Sequence, residues 1–400
     1  MNRTNVIQLK PSKSQKGILN ELMLLSSCVY NETNYLIRQQ FFNKEKISYF
    51  YTLQQQLQNT ENYQMLGRSY ALPRIQVYSE TNSSRFKLIK SKTQKKVGLP
   101  KYLKNRKTNT TIPSYLIIDG CQYSIKKDYV TIPLSRKFRK KYNIKHFKIK
   151  YNGVLKWNGK QKRGQIKFED GQFYLNQSVQ LKDKKLIKSK IKAGLDLGIK
   201  KLLTVYLNNG EDKIIGRNRF YKQWKYLTDL ISEEKSRLSL QNKKTSNKLK
   251  RMYRKRSKFQ NNLYNNLVAK MFRFLIKNKV SYLAIGDIKN IRDSGSKGKK
   301  VNQMINNYWS FGLLLKKIEN KAEEFGIEIT LETEEYTSRT CPLCFNNEKS
   351  NCKDRIFICS DCGFVEHRDV VGARNILTKS LYGSIESIHQ DEAVLLEAVK

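Results

Sequence analysis

The most explicit chemistry in this sequence belongs to its cysteines. Cys341-Pro-Leu-Cys344, fourteen intervening residues and Cys359-Ser-Asp-Cys362-Gly363 make two paired CxxC turns. Four soft thiolates at that spacing match tetrahedral Zn²⁺ and leave the ion no open position, so a structural zinc ribbon is expected. Cys352 lies in the intervening loop and could substitute for a ligand, but the regular spacing favours the other four. Five of the seven cysteines fall between Cys341 and Cys362, which reads as a metal site in a reducing compartment and not as a disulfide scaffold. Cys28 and Cys121 stand in apolar surroundings and are expected to be small core residues.

A second set of candidates is acidic. In Gly194-Leu195-Asp196-Leu197-Gly198, strand alternation turns both leucines to a core and Asp196 to the opposite face. The flanking glycines are expected to leave room for phosphate or metal at the backbone. HRDVVGARNI places Asp369 at the start of a segment expected to be helical, and the acidic ETEEYTSRTC segment follows a strand. Three carboxylates gathered from distant positions can hold divalent metals, typically two Mg²⁺ about 4 Å apart. One ion activates water and the other stabilises the leaving oxygen of a phosphodiester.

The elements that must position these groups sit in a very basic chain. Lys and Arg number 78 against 34 Asp and Glu, a formal charge of +44 over 400 residues, so extensive nucleic-acid contact is expected. The apolar share of 39% still allows two to four compact units. The opening MNRTNVIQLKPSKSQ lacks the apolar segment of a signal peptide, and no run approaches a membrane span, so an intracellular protein without a membrane partner is expected.

Residues 2–10 suit a strand, and Ser12 or Ser14 could open a helix carrying Ile18, Leu22, Leu25 and Val29 as its apolar stripe. The polar segment to about Arg85 reads as a helical insertion. From about Lys90 the texture changes to TIPSYLIIDG, YSIKKDYVTIPL, KHFKIKYNG and GQIKFEDGQFYLNQSVQL, the pattern of a small antiparallel barrel. Lys90–Lys107 holds eight cations and no acid, including Lys95, Lys96 and Lys101, which suits a phosphate backbone. From about Lys192 strands alternate with helices, giving α/β as the class of this half. Lys235–Lys258 carries eleven cations and no acid, Arg251, Arg254, Lys255 and Arg256 among them, a density that favours a backbone clamp. VSYLAIGDI and IEITLETEEYT read as strands, separated by a helix with Phe311, Leu314, Leu315, Ile318, Ala322 and Phe325 on one stripe. Tyr30, Tyr35, Tyr70, Trp157, Tyr253 and Trp309 are candidates for base stacking, and each also suits ordinary packing.

Taken together, GLDLG, YTSRTCPLC, CSDCG and HRDVVGARNI resemble the TnpB-type transposon-encoded RNA-guided nucleases, an architecture that extends to compact type V CRISPR effectors. The resemblance covers essentially the full chain. It implies a multidomain α/β protein: an N-terminal wedge-like β-barrel (1–10 and 90–190) with a helical recognition insertion (11–89), an RNase H/RuvC-like nuclease domain (191–336 and 364–380) with a basic helical insertion, an inserted zinc ribbon (337–363) and a C-terminal tail (381–400). It also implies a guide RNA from the transposon end, double-stranded target DNA with a short flanking motif, Mg²⁺ at the nuclease site, structural Zn²⁺ and action in a prokaryotic cytoplasm at the nucleoid. Asp196 looks like the first catalytic aspartate and Asp369 like the last; Cys341, Cys344, Cys359 and Cys362 match the zinc positions. The oligomeric state stays open.

One position departs from the commoner pattern. Many members place the middle catalytic glutamate before an aspartate at the end of the second nuclease strand; AIGDIKN has Gly286 there and Asp287 after it. Some relatives carry the glutamate just before the YTS segment, and Glu334 fits that arrangement. Asp287 is the alternative, although it is one residue out of phase and should point to the other face. Glu335 is a further candidate, and a nuclease-inactive RNA-guided repressor is the account that needs no middle carboxylate. The resemblance assigns metal binding and catalysis to Asp196, Glu334 and Asp369.

Overall fold

The computed structural model describes residues 1–91, 97–198, 201–216, 219–287, 310–348, 352–353 and 355–385. These fall into two compact units, Met1–Lys182 and Asp183–Lys400.

In the first unit β1 (Asn2–Lys10) alternates so that Asn5, Ile7 and Leu9 turn inward. Ser12 then opens α1 (Lys13–Phe42) with a capping box, its hydroxyl accepting from Gln15 N while the Gln15 side chain accepts from Ser12 N. Ile18, Leu22 and Val29 of the expected stripe are buried, and Leu25 is partly so. Three further helices, α2 (Phe50–Leu57), α3 (Glu61–Leu66) and α4 (Arg68–Ser91), complete the insertion. The chain continues through β2 (Leu116–Ile118), β3 (Ser124–Ile125), β4 (Tyr129–Ile132), α5 (Arg136–Tyr142), β5 (Phe147–Asn152), β6 (Lys160–Glu169) and β7 (Gln172–Gln180). These strands and β1 form a seven-stranded antiparallel sheet, in the order β2-β6-β7-β1-β5-β4-β3. Asp170 and Gly171, both at positive φ, close the β6–β7 hairpin as a two-residue turn. Cys121 is exposed and Cys28 half-buried, so the expectation of two core thiols is corrected: Cys121 lies in a short turn over the sheet rather than within it.

In the second unit β8 (Lys192–Asp196), β9 (Leu203–Leu207) and β10 (Asp212–Ile215) form an antiparallel meander, with Gly210 at φ 89° in the turn before β10. A helix pair follows, α6 (Arg219–Leu240) and α7 (Asn247–Lys277). Two of its many cations meet one acid: Glu234, almost fully buried, receives Arg237 at 2.8 Å and Lys248 at 3.0 Å. The C-terminal half of α7 supplies Leu263, Leu267, Met271 and Leu275 to the core. Then come β11 (Tyr282–Asp287), α8 (Phe311–Phe325) and β12 (Glu328–Thr333). Gly326 at φ 75° ends α8, as a C-terminal glycine should. The sheet order is β10-β9-β8-β11-β12, with β11 parallel to both of its neighbours. A small antiparallel sheet, β13 (Cys352–Lys353), β14 (Ile356–Ile358) and β15 (Val365–His367), leads into α9 (Arg368–Tyr382), which packs on β8, β9 and β11. Among the described residues no helix is long and apolar enough to cross a membrane.

Candidate functional site

Asp196 ends β8, with Leu195 and Leu197 buried as the alternation predicts. The room beside its glycines is already filled. A Cβ on Gly194 would lie 2.0 Å from the Ala373 carbonyl oxygen and 2.9 Å from Leu377 Cβ, so this glycine lets α9 approach the strand. A Cβ on Gly198 would lie 2.5 Å from the Lys201 oxygen. The expectation that these glycines clear space for a ligand is therefore corrected: their space serves backbone packing. The close approach has its own use, because Gly372 on α9 brings its backbone to the Asp196 carboxylate, where a Cβ would sit 3.2 Å from Oδ2. Asp369 lies three residues earlier on that helix, almost one turn away.

Glu334 follows the last residue of β12, and its side chain lies over the α-carbon of Gly286 on β11. A Cβ at Gly286 would come within 2.2 Å of Glu334 Oε1 and 2.8 Å of Cγ. The glycine that departs from the commoner family pattern thus gives up its side-chain volume to Glu334. The backbone there is pinned through two motifs: Thr337 donates to the Glu334 carbonyl from N (3.3 Å) and from Oγ1 (3.0 Å). Asn375 of α9, fully buried, donates Nδ2 to the Thr337 and Thr340 carbonyls at 2.8 Å each. The helix that carries Asp369 therefore fixes the loop that carries Glu334.

Electrostatically the site is acidic, with Arg355 and Arg368 beside it. Burial, followed by the Asp369 charge, pushes Asp196 up to about 7 against the opposing pull of Arg368. Burial, followed by Asp196 and Asp287, pushes Glu334 up to about 8. Glu334 Oε1 is buried without a hydrogen-bond partner, a state that costs free energy unless a cation or donor reaches it. Asp369 is better compensated. It stands in the first turn of α9, its N–H donates to His367 Nδ1 (3.2 Å), and Arg355 Nη1 donates to its Oδ1 (2.9 Å) and Oδ2 (3.0 Å). An orphaned buried carboxylate oxygen and two carboxyls held near their protonated forms fit a divalent cation. The three carboxylates do not all converge within 4.8 Å; among the described residues only the four cysteines form such a group. Of the three, Asp369 is the one held by Arg355.

The cysteines are already assembled. The ligand sulfurs of Cys341, Cys344, Cys359 and Cys362 all lie within 4.8 Å of one another, with Cys341–Cys362 at 3.6 Å and Cys344–Cys359 at 3.3 Å. A tetrahedron with metal–sulfur bonds of about 2.3 Å needs edges near 3.8 Å, so this cluster has metal-binding geometry. Burial raises the Cys359 thiol, but the N–H groups of Cys362 and Asp361 outweigh it and hold the thiol down to about 7.

The basic candidates divide. Lys95 and Lys96 lie outside the described residues, as does Trp309. Lys101 is exposed and lines a cavity of about 450 Å³ with Arg38, Lys104 and Arg106. Arg251, Arg254 and Lys255 are exposed on α7, whereas Arg256 turns into the helix pair, over the rings of Trp224 and Tyr253 and donating to Thr228 Oγ1 at 3.1 Å. Arg256 packs as a staple within the helix pair. Tyr70 is buried and donates to the Pro133 carbonyl, Tyr30 and Trp157 each pack against a cation, and Tyr35 is exposed. Arg355 and Asn375 were not legible as site residues: only the folded chain shows the first meeting Asp369 and the second tying two motifs together.

Two family descriptions match the chain: "Probable transposase" over residues 175–292 and "Cas12f1-like, TNB domain" over residues 311–376. The chain is 27% identical to the TnpB-like protein ORF457 of Acidianus two-tailed virus, over 95% of this chain and 87% of that protein. It is 28% identical to the CRISPR-associated endodeoxyribonuclease Cas12f1 of an uncultured archaeon, over 56% of this chain and 45% of that protein. A cryo-EM structure of a Cas12f1–sgRNA–target DNA complex aligns over 95% of this chain and all of that one, with TM-score 0.38 and 18% identity. By these sequence matches the chain is a TnpB-type relative of the compact type V effectors.

Proposed function

We propose that this protein is an RNA-guided DNA endonuclease that hydrolyses target phosphodiesters at a RuvC-like site built from Asp196, Glu334 and Asp369. The observation that carries the reading is Glu334: a buried carboxylate with an unpartnered oxygen, seated over Gly286 and charge-coupled to Asp196. These three residues would hold Mg²⁺, which supplies a water nucleophile and charge neutralisation at the leaving oxygen. The chain's own part is positional. β8 fixes Asp196, α9 fixes Asp369, and Asn375 through Thr337 fixes the Glu334 loop. Zn²⁺ on the four cysteines would hold the ribbon that presents Arg355 to Asp369.

The partners follow from charge and from the relatives. A chain at +44 suits a guide RNA and a target duplex. Guide pairing would read the sequence, and the first unit, as barrel and helical insertion, would read a short flanking motif. The guide would come from the transposon end; a repeat array beside the gene would favour the CRISPR reading instead. The test is reconstitution with the native guide RNA. Cleavage of matched duplex is expected to require both guide and Mg²⁺, and equal nicking of matched and unmatched DNA contradicts guidance. The wide carboxylate spacing and the Arg355 contact favour one second reading, a guide-directed repressor, which would occupy target at full Mg²⁺ without scission.

A further inference from the structure

The strand β9 carries a hydroxyl where its neighbours are apolar. Leu203, Val205 and Leu207 pack in the core with α7, while Thr204 and Tyr206 turn to the opposite face, the one α9 covers. Thr204 is 1% exposed, and its Oγ1 has no hydrogen-bond partner among the described residues. A buried hydroxyl without an acceptor costs free energy. Valine, with nearly the same shape and a strong preference for strands, would avoid that cost. Stability alone thus does not account for the hydroxyl.

Its place in the sheet supplies the acceptor. Thr204 pairs with Asp196 across the β8–β9 ladder, so the two side chains share a face. Directly opposed Cβ atoms stand about 5 Å apart, a gap that a hydroxyl and a carboxylate can close by side-chain rotation. β8 lies between β9 and β11. On the β11 side Ile285 pairs with Leu195, which puts Gly286, and the Glu334 carboxylate over it, beside Asp196. From α9, Gly372 brings its backbone to Asp196 Oδ2. Thr204 flanks the same carboxylate from β9. The Leu197 N–H already donates to Asp196, but an ionised carboxylate has about four acceptor sites, which leaves room for a second donor as well as a cation.

We propose that Thr204 is a positioning residue of the carboxylate site: its hydroxyl donates to one oxygen of the ionised Asp196 carboxylate and leaves the other to the divalent ion. The inference rests on the endonuclease reading for the presence of that ion. A carboxylate that ligates a metal is oriented by such outer hydrogen bonds, and losing one costs roughly 10–100-fold in metal affinity or activity. Thr204 touches neither substrate nor metal in this account; it acts through Asp196.

The test compares Thr204→Val, which keeps the shape and removes the hydroxyl, with Thr204→Ser, which keeps the hydroxyl, and takes Asp196→Asn as the reference for a lost ligand. Mn²⁺ affinity is measured by electron paramagnetic resonance on the full-length, zinc-loaded protein free of nucleic acid. Thr204→Val is expected to bind the Asp196-dependent Mn²⁺ at least tenfold more weakly than wild type, and Thr204→Ser to stay within about threefold. Without Mn²⁺, Thr204→Val should melt at or above the wild-type temperature, because a methyl replaces an unpartnered hydroxyl. In the guide-loaded protein the same change should raise the Mg²⁺ concentration for half-maximal cleavage by a similar factor, with guide and target binding retained. Wild-type Mn²⁺ affinity in Thr204→Val overturns the proposal. So does an equal loss in Thr204→Ser, which would assign the effect to packing of the methyl, and so does a lower melting temperature of metal-free Thr204→Val, which would give the hydroxyl a structural bond. An Asp196→Asn protein that binds Mn²⁺ as wild type does refutes the metal reading of the carboxylates and this inference together, whereas a normal Thr204→Val beside a defective Asp196→Asn refutes the inference alone.

Discussion

The two candidate metal-ligand sets of this chain are built in opposite ways. The four cysteines come from two local turns and stand assembled within 4.8 Å, whereas Asp196, Glu334 and Asp369 come from two strand ends and a helix start and stand wider apart. Thiols tolerate one another when neutral, so protein packing alone can gather them. Carboxylates repel, and the fold holds two of them only at raised proton affinity, with Arg355 on the third. The ribbon should therefore depend on its metal for stability, and the carboxylate site should need a cation for chemistry far more than for folding.

The largest expected effect sharpens that contrast from the ribbon side. Cys359→Ser should lose one zinc per chain and lower the melting temperature by roughly 10 °C, since a tetrahedral thiolate site contributes many kcal/mol of folding free energy. Full zinc retention by elemental analysis, with unchanged melting, contradicts a structural ribbon. Cys352→Ser should matter much less.

From the carboxylate side, Gly286→Ala removes no ligand and adds one methyl. That carbon would stand 2.2 Å from Glu334 Oε1, so Glu334 must swing away. Cleavage in single turnover should fall roughly 100-fold, the cost of displacing a catalytic group by about an ångström, while guide and target binding hold. A Gly286→Ala enzyme that cuts normally would show that Glu334 acts from elsewhere or not at all.

The smallest effect lies in the helix pair. Hydrogen bonds from Arg237 and then Lys248 hold the Glu234 carboxyl down to about 2. A carboxyl with a lowered folded-state pKa adds stability above its ordinary value, near 4.5, and loses it as pH falls toward 2. Glu234→Gln should lower the melting temperature by only a few degrees near neutrality, and the gap to wild type should close between about pH 4.5 and 2. A gap that is constant with pH would mean that packing, not charge, accounts for the loss.

Legibility follows the same divide. The cysteine cluster, the Ser12 cap, the alternation around Asp196 and the end of α8 at Gly326 each depend on residues within a turn or two of one another, and all were readable. Gly194 was misread because its neighbour Ala373 is set by tertiary packing, as is the packing of Arg256 on Trp224. Arg355 on Asp369 was invisible because the chain must first fold the ribbon hairpin to bring them together. Gly286 is the instructive intermediate. Its missing side chain was plain in the sequence, but only the parallel pairing of β11 with β12 shows that Glu334 fills the space it leaves.

The central claim is that Glu334 completes the nuclease site. Its most direct test is single-turnover cleavage of matched duplex by guide-loaded Glu334→Gln and Asp287→Asn proteins in Mg²⁺, with target binding measured in parallel. Loss of a metal-binding carboxylate should reduce Glu334→Gln cleavage by roughly 1,000-fold or more with target binding intact, while Asp287→Asn stays within about tenfold of wild type. Abolished cleavage in Asp287→Asn beside active Glu334→Gln would contradict the assignment.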